Sequence, residues 1–155
     1  MDVRRGGFTH DSYRATFAGD FDSAVAALLA YRVFPPRRMH ARVCTADGQI
    51  AVGPTIVQRI RIGPAVIETA VRIIELERSA DRVHFAYATL RGHAERGVAS
   101  FSVVRGSSTN RFEAEAWSRA GHWLTSVGRP LSRLLQRRFT REAVESFCGS
   151  IDCAG

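Results

Sequence analysis

The chain has 155 residues, 45% of them apolar and 24% charged, with a formal net charge of +7. That length fits one domain with a core large enough to stand without disulfides or a structural metal. The composition excludes a disordered chain, and no run of 18 or more apolar residues marks a membrane span.

The charge invites a nucleic-acid reading, but all 22 basic residues are Arg, and only one Asn occurs in the chain. Selection for phosphate contacts has no reason to reject Lys, so the bias points instead to a GC-rich bacterial genome. Arg-mediated nucleic-acid binding therefore stands only as a second alternative. Without Lys there is no Schiff-base chemistry. The first residues, MDVRRGGFTHDS, lack the apolar stretch of a secretory leader. Cys44, Cys148 and Cys153 are expected to be reduced cytosolic thiols, which places the protein in the cytoplasm.

In chain order, residues 1–9 read as a disordered tail. His10 to Phe17 alternates as a first strand. Gly19-Asp20 gives a turn and an N-cap, and Phe21, Val25, Leu28 and Leu29 fall on one face of a helix. This helix is expected to stop before Pro35-Pro36, because the residue ahead of Pro avoids the α region. The segment 37–53 is the hardest to assign; RRMHARV alternates as a strand and Asp47-Gly48 signals a turn.

From Gly53 to Ser118 the pattern is of consecutive antiparallel strands at 54–62, 65–77, 82–90, 97–105 and 110–118. Gly63-Pro64, Ser79-Ala80-Asp81, Gly92 to Gly97 and Gly106 to Asn110 supply the turns. Strands this long must curve, so the sheet acquires a concave face. Alternation sets Phe85, Tyr87 and Thr89 against His84, Ala86 and Ala88, and Phe112, Ala114 and Ala116 against Glu113, Glu115 and Trp117, without saying which side is concave.

Gly128-Arg129-Pro130 opens a long last helix. Leu131, Leu134, Leu135 and Phe139 form its apolar stripe, and Arg129, Arg133, Arg137 and Arg141 lie on another side. Phe147 drifts off the stripe at 3.6 residues per turn, so a bend or a second short helix is expected near Thr140. Residues 150–155 read as a tail. The fold class is α+β, one domain over 1–155: a curved antiparallel sheet wrapped on a long C-terminal helix.

Three segments, FAYATLRGHAERGVASFSV, AWSRAGHWL and RPLSRLLQRRFTREAVESF, together with YRVFPPRRM, resemble a bacterial and plant family described as a domain of unknown function, numbered nineteen-ninety. The family pattern in the first segment is similar to FAYGTLPGHPERGEE. Ala88 replaces its usual Gly, and Arg91 and Ala94 replace its usual Pro residues. At fold level the family resembles the START-like helix-grip proteins, which include the pollen allergens. The resemblance implies a hydrophobic cavity between sheet and helix, and no fixed catalytic set.

No metal site is expected: the five His residues are scattered, and no cofactor motif occurs. Tyr13, Tyr31, Phe85, Tyr87, Phe101, Phe112, Trp117 and Trp123 are candidate cavity linings, or equally plain core. Glu68, Tyr87, His93 and Glu95 are the candidate catalytic groups. His93 and Glu95, expected in a hairpin loop, form an acid/base pair or merely shape the turn. Glu68 gains a raised pKa if it faces the cavity, and is an ordinary surface group if it does not. The expected function is binding of a hydrophobic small molecule, with cofactor-free cyclisation or isomerisation of a polyketide-like substrate. The first alternative is a carrier or sensor of an apolar ligand. The expected partner is that ligand, with no membrane, and a homodimer is compatible with the sequence.

Overall fold

The computed structural model describes residues 8–93, 95–120 and 129–153. The elements are β1 (Thr9–Phe17), α1 (Phe21–Leu29), β2 (Met39–Val43), β3 (Thr55–Ile62), β4 (Ala65–Arg78), β5 (Arg82–Thr89), β6 (Glu95–Val104), β7 (Asn110–Ala120) and α2 (Arg129–Asp152). The strands form one antiparallel sheet in the order β1-β7-β6-β5-β4-β3-β2. From β2 to β7 every strand lies beside its neighbour in sequence; β1 alone crosses over to pair with β7. Both helices pack on the concave face, the helix-grip form of an α+β fold.

The turns form where the local chemistry favours them. Asp20 caps α1, its carboxylate accepting from the Ser23 N–H at 2.7 Å, which satisfies a donor the first helical turn leaves orphaned. Gly63 (φ 58°) makes the tight β3–β4 turn, a left-handed position that L side chains seldom adopt. In β4 the register slips between Ile73 and Glu75. This bulge leaves Ile74 facing outward, 48% exposed, and returns Leu76 toward the core.

One end of the sheet–helix interface is solid. Phe17, Phe85, Phe112 and Phe147 are each at most 2% exposed. The Phe112 and Phe147 rings stack with centroids 4.2 Å apart, and Phe17 meets Phe147 edge-on at 6.4 Å. Each such side chain contributes about 1.5–3 kcal/mol by leaving water. Polar contacts fix α2 over this core. The Asp152 carboxylate accepts from the Ala18 and Gly19 N–H groups at 2.8 and 2.9 Å. Gly19 is needed there, because a Cβ would lie 2.7 Å from the Ile151 carbonyl oxygen. Arg38 donates two hydrogen bonds to Glu142, at 2.8 and 3.1 Å, and Arg137 meets the buried Asp11 at 3.3 Å.

Helix α1 ends at Leu29, before Pro35 as expected, where Tyr31 takes φ 56° and turns its ring into the core. Three expectations are corrected. Thr9 belongs to β1, so the N-terminal tail does not reach it. Residues 150–152 belong to α2, with Ile151 buried, and are not a tail. Of the two alternatives at Thr140, the second short helix is ruled out, since α2 runs through it as one element, with Phe147 in the core. The side chains of Leu131, Leu134, Leu135, Arg129 and Arg133 lie outside the described residues.

Candidate functional site

Toward the other end of the interface, β6 and β7 turn small side chains to the concave face. Gly97, Ala99, Ala114 and Ala116 form a floor of small residues facing α2. The result is a cavity of about 160 Å³. Phe34, Met39, Ile60 and Ile62 wall it on the far side, Tyr87 and Phe101 stand at its base, and Phe139 and Thr140 of α2 cover it. On the order of 150 Å³ is enough to hold a benzene-sized guest in an apolar cavity. Gly97 also has a backbone reason: a Cβ there would collide with the Trp117 carbonyl of β7.

Polar groups converge on this apolar space from two directions. The turn Leu90–His93 closes through the His93 N–H donating to the Leu90 carbonyl at 3.2 Å. Gly92 supplies the φ of 86° that the third position of such a turn requires. The turn brings His93 to the cavity wall, where its Nδ1 accepts from the Glu95 backbone N–H at 3.1 Å. Burial pushes the His93 pKa down, so the ring is neutral at pH 7. With Nδ1 accepting, the proton sits on Nε2. That Nε2–H is buried and has no hydrogen-bond partner among the described residues.

Glu95 is not in the loop, as expected from sequence, but is the first residue of β6. Its carboxyl lines the cavity. Burial, helped by the nearby Asp11 charge, pushes its pKa up to about 7, against a hydrogen bond from Ser118 that favours the charged form. A carboxyl poised there exchanges a proton readily at neutral pH.

The second polar group is a chain of buried side chains. The Thr69 hydroxyl donates to Gln58 Oε1 at 3.1 Å, and Gln58 Nε2 donates to the Tyr31 hydroxyl at 2.6 Å. Tyr87 joins this network through Tyr31 and Gln58. Burial raises the Tyr87 pKa to about 12 and that of Tyr31 well above its usual value, so both phenols stay protonated.

The structure thus brings Tyr87, His93, Glu95 and Phe101 to one cavity. Tyr31 stands behind it, its ring 6.3 Å from that of Tyr87. Phe85 and Phe112 belong to the solid core, and Tyr13 packs on that core from β1. Glu68 lies on the outward face of β4, exposed and paired with Arg59 at 3.0 Å. Trp117 falls between the inward Ala116 and Ser118 and so faces outward, stacked on His10 at 4.6 Å. Trp123 lies outside the described residues.

Gln58, Thr69, Ser118, Asp11 and Phe139 were missed as site or supporting residues. Gln58 could have been found, since in TIVQRIRI it shares a face with Ile56 and Ile60, a polar interruption of an apolar row. No cluster of metal-ligating side chains occurs among the described residues, and no described helix is long and apolar enough to cross a membrane.

Comparison with known proteins follows the fold. The solved structures it resembles include a START superfamily protein from Mycobacterium smegmatis, with TM-score 0.71 and 11% identity over 96% of this chain and 100% of that one. The ginseng major latex-like protein 151 from Panax ginseng gives TM-score 0.63 and 17% identity over 92% and 99%. A hypothetical protein from Helicobacter pylori gives 0.68 and 8% over 94% and 88%. At these identities the likeness shows the fold alone. No sequence match to a curated protein was found. The model of the domain of unknown function DUF1990 matches residues 4–146, and the chain belongs to that family.

Proposed function

We propose that this DUF1990 member binds a small apolar molecule in the cavity between sheet and α2 and acts on it without a cofactor, as a cyclase or isomerase of a polyketide-like compound. The observation that carries the reading is the cavity itself: an apolar space of about 160 Å³ with one proton-exchanging carboxyl, Glu95, in its lining. A pocket with a few fixed polar groups orients a guest, and holding one reactive conformer lowers the entropic part of a barrier. Neutral His93 and the protonated Tyr87 add hydrogen-bond donors for an oxygen on the guest. The START-like fold supports ligand binding by analogy only.

The carrier or sensor reading uses the same cavity and needs none of this chemistry. Nucleic-acid binding remains the second alternative; eight Arg side chains, Arg14, Arg38, Arg59, Arg82, Arg105, Arg111, Arg137 and Arg138, pair with carboxylates and are less free to meet phosphates. We assign the activity to the cytoplasm on the strength of the unpaired thiols of Cys44, Cys148 and Cys153.

The test is to incubate purified protein with extract of a producing strain that lacks the gene and to follow products by mass spectrometry. A changed product spectrum supports the enzyme. An unchanged compound retained on the protein supports the carrier. Failure to retain any compound or to bind an environment-sensitive apolar dye overturns both.

A further inference from the structure

We propose that Glu95 and His93 form a proton-transfer site for a one- or two-ring ketone, Glu95 moving a proton between ligand carbons while the His93 Nε2–H holds the ketone oxygen. The inference rests on the apolar-ligand reading above and gives it a substrate class.

The geometry points there in three ways. The His93 Nε2–H is a buried donor without a partner among the described residues, at the wall of an apolar cavity. Leaving such a donor unsatisfied is costly, so a guest oxygen that accepts from it is favoured over a plain hydrocarbon. The same ring is held by the Glu95 backbone N–H on its Nδ1. Donor and carboxylate residue are therefore locked together, two residues apart, by the Leu90–His93 turn. Finally, a pocket of about 160 Å³ holds a guest of one ring, and its open mouth leaves room for a second.

The chemistry balances without a co-reactant. Glu95 carboxylate takes a proton from the carbon next to the carbonyl. The C–H electron pair becomes a carbon–carbon double bond, and the carbonyl π pair moves onto oxygen. The His93 Nε2–H, which stays on the ring, steadies that oxyanion by a hydrogen bond. Where the ketone is β,γ-unsaturated, Glu95, now a carboxylic acid, returns its proton to the far carbon of the dienolate, the carbonyl re-forms beside the shifted double bond, and the product is an isomer with the site restored. In a saturated ketone the proton returns to the same carbon, as exchange. Collapse of the same enolate onto a second carbonyl in the ligand would instead close a ring, with the proton delivered to the new alkoxide.

Several groups face Glu95: Asp11 from β1, Ser118 from β7, Tyr87 from β5 and His93 from the turn, with Arg137 of α2 reaching Asp11. All of them must be considered in reading a pH profile.

The test uses β-tetralone, a two-ring ketone, in heavy water, with loss of its α-proton signals followed by NMR. The full-length protein is expected to speed this exchange over buffer, with a rate that rises with pH through a midpoint near 7. Glu95→Gln should lose roughly 100-fold or more of the exchange while still binding an apolar dye. His93→Phe should lose roughly 100-fold and keep the midpoint, since the base remains. Tyr13→Phe, away from the cavity, should exchange as the wild type does. If β-tetralone displaces the dye but exchanges no faster than in buffer, or if Glu95→Gln exchanges undiminished, the proton-transfer site is overturned and the ligand cavity stands. If neither dye nor ketone binds, both fall together.

Discussion

Where Phe147 lies on Phe112, helix α2 answers a phenyl ring of β7 with another of its own. A few residues along the same strand, β7 presents Ala114 and Ala116, and the helix offers Phe139 and Thr140 across open space. The backbone framework is common to both regions; only side-chain volume differs. The stacked region has the close packing of a protein interior, which is what native stability requires. The open region departs from it and encloses polar groups that a purely structural core has no use for. A hollow lined this way is retained by the choice of Gly97, Ala99, Ala114 and Ala116 over larger residues, and function is the economical explanation.

Substitutions can break or sharpen that contrast. Phe147→Ala, in the stacked region, should cost about 3–5 kcal/mol, read as a fall in denaturation midpoint. Glu95→Gln, in the hollow, should act in the opposite direction. Burial raises the Glu95 pKa from 4.5 to about 7, so the neutral carboxyl favours the folded state below about pH 4.5. That contribution is lost as pH rises through about 7, because the folded chain must then bury a charge. The loss reaches about 3 kcal/mol by pH 8. The Gln variant should therefore be more stable than wild type at pH 8 and nearly equal at pH 4, with a flatter stability profile between, checked by urea unfolding at several pH values.

Smaller effects mark the edges of the comparison. Asp152→Ala removes the acceptor for two backbone N–H groups beside the stacked region and should lower stability by about 1 kcal/mol. Ala116→Leu should change stability by less than about 1 kcal/mol, because the side chain enters existing space. It should nonetheless weaken apolar-dye binding at least roughly tenfold, which a fluorescence titration would show. Glu68→Ala, on the outward face, should alter neither stability beyond about 0.5 kcal/mol nor dye binding. A marked loss of binding there would place the ligand on the wrong side of the sheet.

Much of this was legible in the amino-acid order. The hairpin turns are marked by Gly, Pro, Ser and Asp, and the strands between them by alternation, so the meander from β3 to β7 could be read almost to the residue. The seam between hollow and core was not legible, because alternation is symmetric: it separates Ala116 from Trp117 but cannot say which faces the helix. The β4 bulge at Ile73/Glu75 inverts the phase halfway along one strand. The left-handed backbone of Tyr31 carries no local signal, and its buried bond from Gln58 is a tertiary contact that the order of residues does not show. Glu95 was singled out from the GHAERG segment, but its raised pKa depends on burial and on the charge of Asp11, against a bond from Ser118, and neither neighbour is near it in sequence.

The crossover of β1 carries a consequence for how the molecule comes into being. Phe17 pairs with Asn110 and Thr9 with Ser118, so the first strand of this sheet to be made waits for the last. Until the two pair, β7 has no neighbour on one flank, and its row of amide and carbonyl groups is open to any extended chain nearby. Newborn copies crowded on one messenger are accordingly most prone to pair wrongly along that flank, and slower elongation after β7 would give the waiting segment time to claim its place.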